Sequence, residues 1–189
     1  MTILTNTTST ALWYGIVHDA EESCSIVLKE DVESYLVFLL MRYTNQPELI
    51  NQIIATEFLR GAGLNSQKRQ VAMQSVGDKC LLFAGLYPNL AEKRLVRLSY
   101  FVNLGQTAYI TISQKNNDLY GLLGRQFVSL MDVLQSIRHY STAHPDLLPL
   151  QAYELWNDTG SQRALSVLKQ FTQATPMISA DEGPCLFKK

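Results

Sequence analysis

Apolar residues recur every three or four positions along most of the chain, which is the spacing of one face of an α-helix. The pattern is regular in Glu30–Thr44, Glu48–Arg60 and Gly121–Tyr140. Glu30–Thr44 also has acids in its first turn and Arg42 in its last, as the helix dipole prefers. The pattern therefore predicts an all-α protein, built as a single-domain bundle of about seven helices.

The two ends of the chain lack this period. Residues 1–11 are rich in threonine and serine, which predicts a flexible lead-in, and the prolines and glycine after Phe171 predict a tail at 172–189. We expect the helical domain at 12–171. At its start, the apolar run Leu12–Val17 is compatible with a strand or with a helical turn, because so short a run does not separate the two.

The central part of the chain has the densest pattern. Ser75 and Asp78 form the S-x-x-D arrangement that is typical of a helix start. We therefore expect two central helices, at Val76–Tyr87 and at Leu95–Ser113. The polar residues in front of them, Asn65–Gln74, predict a separate, solvated helix.

Small residues indicate where the two central helices meet. Gly105 and Ala108 lie in the middle of the apolar stripe of the second helix, and Gly85 lies on the first. Glycine inside a helix costs about 1 kcal/mol relative to alanine and usually has a packing reason. We therefore expect the two central helices to cross closely, with Gly85 of the first helix facing Gly105 of the second.

Two motifs in the same region resemble a known pattern. V-G-D-x-x-L-x-x-A-G at Val76–Gly85, followed by Y-F-V-N-L-G-Q-T-A-Y at Tyr100–Tyr109, resembles a family of uncharacterised bacterial helical proteins. The resemblance covers about Asp31–Tyr140. It implies a bacterial, cytoplasmic helical protein, and it supplies no catalytic residue.

The charge balance argues against a nucleic-acid partner. The chain has 16 basic and 17 acidic residues and a net charge of -1, which provides no field to attract DNA, RNA or an anionic membrane. The longest apolar run, Tyr35–Met41, is far shorter than the roughly 20 residues of a membrane helix. Three widely spaced cysteines suit a reducing compartment. We therefore expect a soluble, cytoplasmic protein without a membrane partner.

Possible metal ligands are concentrated in His18–Cys24. A helix would bring His18 and Glu22 onto one face. Two ligands do not make a site, and neither His139 nor His144 belongs to a metal-ligand pattern. We therefore favour a solvated acidic loop in this segment, and we predict no metal and no cofactor.

The familiar catalytic motifs are absent from the sequence, among them G-x-S-x-G, H-E-x-x-H and the phosphate-binding loop. Cys80 and a histidine could form a nucleophilic pair, but Cys80 lies on an apolar helix stripe, where cysteine is usually an inert small hydrophobe. We therefore predict no catalytic residue and do not favour an enzyme. A small-molecule pocket between helices remains an alternative, and its candidate lining residues are Tyr100, Tyr109, Cys80 and His139.

Two surfaces are candidates for binding a partner. Glu30–Thr44 is apolar on more than one side, which is typical of a central or interface helix. The predicted homodimer interface consists of Tyr35, Phe38, Met41 and Arg42. The predicted basic patch, for an acidic partner or phosphate, consists of Lys68, Arg69, Lys93, Arg94 and Arg97.

These features together predict a non-catalytic helical protein that acts through protein–protein interaction or self-association. A regulatory role is one option for it. A small-molecule-binding protein or enzyme with an interhelical pocket is one alternative. A DNA-linked regulator that uses the basic patch is another.

Overall fold

The computed structural model describes residues 8–45, 54–63, 65–88, 96–114, 118–141 and 147–171. The regular structure of these residues consists of nine α-helices without a strand. This confirms the all-α prediction, although the helices outnumber those predicted. They are α1 (Ser9–Cys24), α2 (Glu30–Asn45), α3 (Ile54–Ala62), α4 (Ser66–Leu86), α5 (Leu98–Ile112), α6 (Leu119–Arg125), α7 (Phe127–Ser141), α8 (Pro149–Thr159) and α9 (Gln162–Phe171).

The higher number has two local causes. The stretch Gly121–Tyr140, predicted as one helix, is interrupted at Gln126, where α6 ends and α7 follows. The run Leu12–Val17 lies inside a full helix, α1. That helix begins at Ser9, because the Thr8 hydroxyl accepts a hydrogen bond from a first-turn N–H at 3.3 Å.

The longest of the described helices, α4, packs against α3, α5 and α7. Every residue from Val76 to Gly85 is buried. The helix start predicted at Ser75 and Asp78 is wrong, because α4 begins at Ser66 and both residues lie inside it. The solvated helix predicted at Asn65–Gln74 is the more exposed first half of the same helix.

The S-x-x-D arrangement has a different use here. A capping side chain serves N–H groups that lack a partner, and N–H groups in the middle of a helix already donate to carbonyls. The Asp78 carboxylate instead accepts hydrogen bonds from the hydroxyls of Tyr35 and Tyr109. It therefore ties α2 and α5 to α4.

Glycines set how closely the central helices approach one another. A Cβ on Gly105 of α5 would lie 2.5 Å from the ring of Phe127 and 2.8 Å from the Cβ of Cys80. On α4, a Cβ on Gly77 would lie 2.5 Å from the ring of Tyr109. Helices α4, α5 and α7 therefore meet where side chains are missing.

The expected pairing of Gly85 with Gly105 is not found. A Cβ on Gly85 would overlap Leu134 of α7, so this glycine makes room for α7 and not for α5. The sequence indicated a close approach at this position but could not indicate the neighbour.

A second buried carboxylate fixes α9, the last of the described helices. The carboxylate of Asp132, on α7, accepts hydrogen bonds from the Ser161 hydroxyl at 2.6 Å and from the Gln162 N–H at 3.1 Å, at the N-terminus of α9. Free N–H groups and the helix dipole favour a negative group there.

None of the described helices is both long and apolar enough to cross a membrane.

Replacing Gly105 by alanine tests the packing at the centre of the bundle. The added methyl group must displace Phe127 or Cys80, so we expect G105A to lose about 1–3 kcal/mol of unfolding free energy, the usual cost of overpacking. Gly15 of α1 is the matched control, because a Cβ there meets nothing within 4 Å. G15A should gain about 0.4–1 kcal/mol. Urea denaturation followed by circular dichroism measures both variants, and equal stability of the two would contradict this packing.

Candidate functional site

A groove runs between α3 and α4. The two helices are antiparallel, since Gly61 lies against Ala72 while Glu57 reaches Lys79, further along α4. The groove is open to solvent and has a volume of about 770 Å³. Its walls are formed by Arg60 and Gly61 of α3 and by Gln67, Lys68, Val71 and Ala72 of α4.

Exposed apolar side chains mark this helix pair. Val71, in the groove, is 67% exposed, and Leu59, on α3, is 74% exposed. Single exposed apolar residues are ordinary, whereas apolar surface gathered at a concave site is typical of binding sites. The groove is therefore the strongest candidate for a functional site among the described residues.

An ion pair lies at the inner end of the groove. Lys79 Nζ lies 2.8 Å and 2.6 Å from the two carboxylate oxygens of Glu57. The Lys79 side chain is only 5% exposed, and that of Glu57 is 31% exposed. Glu57 balances the charge of Lys79. Among the described residues that line the groove, the remaining charged side chains are Arg60 and Lys68, both exposed and both positive.

Asp78, next to Lys79 along α4, belongs to a polar network inside the bundle. Its Oδ1 accepts hydrogen bonds from the hydroxyls of Tyr35 at 2.6 Å and Tyr109 at 2.8 Å. The Gln74 amide extends the network, because its Nε2 donates to the Tyr35 oxygen at 3.2 Å and its Oε1 accepts from the Tyr120 hydroxyl at 3.0 Å. The network joins α2, α4, α5 and α6.

The protonation of this network suits a structural role. Burial raises the pKa of Asp78, while the two tyrosine hydroxyls and Arg42 act in the opposite direction by favouring the carboxylate. Burial, and after it the negative charge of Asp78, raises the pKa of Tyr35 and of Tyr109. The hydroxyls therefore stay protonated and serve as hydrogen-bond donors.

The four residues of the predicted small-molecule pocket are divided between core and surface. Tyr109 and Cys80 are buried, whereas Tyr100 and His139 are exposed on α5 and on the last turn of α7. Burial raises the pKa of the Cys80 thiol, which disfavours the reactive thiolate. Tyr109 and Cys80 serve the Asp78 network and the packing around Gly105.

The residues of the predicted homodimer interface all lie on α2, but they face different environments. Phe38 is 58% exposed, and Arg42 is exposed as well. Tyr35 and Met41 are half-buried, and the Tyr35 hydroxyl points inward to Asp78. Phe38 is therefore the large apolar group that this face offers to a partner.

The predicted basic patch is only partly within the described residues. Lys68 and Arg69 are exposed in the first turns of α4. Arg97, at the start of α5, lies 3.7 Å and 3.9 Å from two carboxylates of α8, which balance its charge. Lys93 and Arg94 lie outside the described residues.

The segment His18–Cys24 is helical, so the prediction of an acidic loop there is wrong. It forms the last part of α1. The imidazole of His18 lies 4.0 Å from the Glu21 carboxylate and 3.5 Å from that of Glu22. The helix also brings this segment close to the first turn of α2, where Glu33 joins His18 and Glu21.

Sequence reasoning missed the groove because its walls come from separate stretches. Val71 and Lys68 belong to a stretch predicted to be a solvated helix, and Glu57 meets Lys79 across 22 residues of sequence. One signal was available. Val71 is a large apolar residue that follows the polar and basic run Asn65–Gln70, and it lines the groove.

Comparisons with known proteins add no relative. No protein family, no curated protein and no solved structure matches the chain. The resemblance to a bacterial helical family therefore stays a prediction. What the fold defines is an all-α protein with an open groove between two of its helices.

Changing Asp78 to asparagine should alter how stability depends on pH. The pKa of Asp78 is raised above its ordinary value of 3.8, so the native state binds this proton more tightly than the unfolded chain does. Ionisation of Asp78 therefore lowers the free energy of unfolding as the pH rises above that value. Asparagine does not ionise, and its Oδ1 can accept both tyrosine hydroxyls. The stability of D78N relative to the wild type should therefore increase from acid to neutral pH.

Urea denaturation of the wild type and D78N at a series of pH values measures this difference. A difference that instead decreases with pH would mean that the tyrosine hydroxyls and Arg42 outweigh burial. That result would contradict the raised pKa of Asp78.

Proposed function

We propose that the protein acts by binding another protein, without chemistry of its own, and that the α3–α4 groove is the docking site. The groove is the observation that carries the proposal, because it combines a concave shape with the exposed side chain of Val71, and Leu59 is exposed on α3. A bacterial, cytoplasmic location is part of the proposal. It is supported by the resemblance of Val76–Gly85 and Tyr100–Tyr109 to a bacterial helical family and by the wide spacing of the cysteines, which suits a reducing compartment.

The dimensions of the groove suit a helical segment. Its α4 wall extends from Gln67 to Lys79, which is about 18 Å at 1.5 Å per residue. About three turns of a partner helix fit this length. Helices that bind in grooves do so with apolar side chains on one face, at the spacing i, i+3, i+4 and i+7.

The charge of the groove limits the choice of partner. Arg60 and Lys68 border it, while Glu57 is paired with Lys79. These cations favour a segment with acidic residues beside its apolar face. A second copy of this chain, related by a two-fold axis, would bring the same cations together. The proposed partner is therefore a segment of a different protein.

Self-association through α2 is the second candidate. It is supported by the exposed ring of Phe38, which lies on a helix whose other large apolar residues are mostly buried. Arg42 lies one turn further along the same helix and is also exposed. Phe38 does not belong to the groove, and a single exposed apolar ring is ordinary on a protein surface, so we rank this face second.

Photo-crosslinking from two positions distinguishes the candidates. Benzoylphenylalanine is placed either at Val71, in the groove, or at Phe38, on α2, and the protein is illuminated inside cells of its native host. Both positions are exposed apolar sites on helices. We expect Val71 to form an adduct with a different protein, through a segment with apolar residues at helical spacing and acidic neighbours.

A synthetic peptide of the crosslinked segment then supplies the affinity. Lys68→Glu should weaken its binding by roughly tenfold or more, because a favourable charge becomes a repulsive one. An adduct at Phe38 with a second copy of the chain, and none at Val71, would contradict the groove as the binding site and support self-association through α2. The absence of an adduct at either position would contradict both candidates.

A further inference from the structure

We propose that His18, Glu21 and Glu33 bind one divalent transition-metal ion where α1 meets α2. A nitrogen of His18 and one carboxylate oxygen from each glutamate lie within 4.8 Å of one another. Ligands that share an ion lie about 2.0–2.2 Å from it and roughly 3–4 Å apart. Small movements of the exposed His18 and half-buried Glu33 side chains reach that spacing.

The fold brings these three residues together. His18 and Glu21 are three positions apart on α1 and so share a face. Glu33 comes from the first turn of α2. The chain between the helices turns at Ser25, which has a positive φ of 54°. It is held in place by the Ile26 N–H, which donates to the Glu21 carbonyl at 3.0 Å.

Glu21 is oriented before any ion binds. Its side chain is buried, and its Oε1 accepts a hydrogen bond from the Leu28 N–H at 2.9 Å. Its Oε2 is the oxygen that faces His18, at 4.0 Å from Nδ1. One carboxylate oxygen of Glu21 thus accepts a backbone hydrogen bond, and the other faces the proposed metal site.

The histidine has the second contact that metal-binding histidines usually have. Such a histidine binds the ion with one ring nitrogen and donates the N–H of the other to a carboxylate or a carbonyl. Nδ1 of His18 faces Glu21, while Nε2 lies 3.5 Å from a carboxylate oxygen of Glu22. Glu22 is therefore placed to orient the ring without binding the ion.

The donor set indicates the class of metal. One imidazole nitrogen with two carboxylate oxygens suits divalent transition-metal ions: imidazole suits Zn²⁺ and Fe²⁺, and carboxylates suit Mn²⁺ as well. Calcium prefers a larger shell of oxygens alone. Two carboxylates held this close repel each other, and a cation between them removes that repulsion. The bound ion would hold α1 and α2 together where the two helices meet.

Titration with Mn²⁺, followed by the loss of the electron paramagnetic resonance signal of the free ion, tests the proposal. Mn²⁺ is chosen because it binds thiols weakly and so avoids the cysteines. We expect saturable binding of one ion per chain and displacement of that ion by Zn²⁺. Both E33Q and H18N should weaken it by roughly tenfold or more, since even outer contacts of a metal site have effects of that size.

Two matched variants separate coordination from general electrostatics. D31N removes the same charge from the same turn of α2, and H139Q removes an exposed imidazole elsewhere. Both should bind Mn²⁺ as the wild type does. Equal weakening by D31N and E33Q would mean diffuse attraction to acids, and no saturable binding would mean no site. Either result would overturn the proposal. Circular dichroism confirms that each variant is folded.

Discussion

Asp78 brings a carboxylate into the centre of the bundle, and the arrangement of the central helices depends on how that group is satisfied. A buried carboxylate is costly unless it accepts hydrogen bonds. Tyr35 of α2 and Tyr109 of α5 both donate to it. The ring of Tyr109 fits because Gly77, one position before Asp78, has no side chain. Two adjacent residues of α4 therefore position two other helices.

The next residue along α4 is Lys79, which contacts α3. Neighbouring residues on a helix point about 100° apart, so Lys79 is directed to Glu57 of α3 while Asp78 faces α2 and α5. The Asp78 contacts lie in the core, and the Lys79–Glu57 contact holds α3 against α4 at the inner end of the open groove. The core network and the proposed docking site are thus two consequences of one short stretch of sequence.

The part of this architecture that depends on local spacing could be predicted. Apolar periodicity indicated an all-α fold, since the period of a helix is a local property. Glycine positions such as Gly85 indicated close packing but not the neighbour, which proved to be Leu134. The sequence predicts Asp78 as the acid in the first turn of a helix that Ser75 caps, because a first-turn acid and a buried acid look alike in sequence. Its partners, Tyr35 and Tyr109, lie 43 and 31 residues away, beyond any local pattern.

The free energy of unfolding of Tyr109→Phe, compared with that of Tyr140→Phe, tests the role of Asp78 most directly. Tyr109 donates to the buried carboxylate, whereas the exposed Tyr140 donates to the Asp19 carbonyl at 3.4 Å. We expect Y109F to lose about 1.5–3 kcal/mol, the usual worth of a hydrogen bond to a charged group, and Y140F to change by less than about 0.5 kcal/mol. If Y109F were as stable as Y140F, the carboxylate would not hold the central helices together.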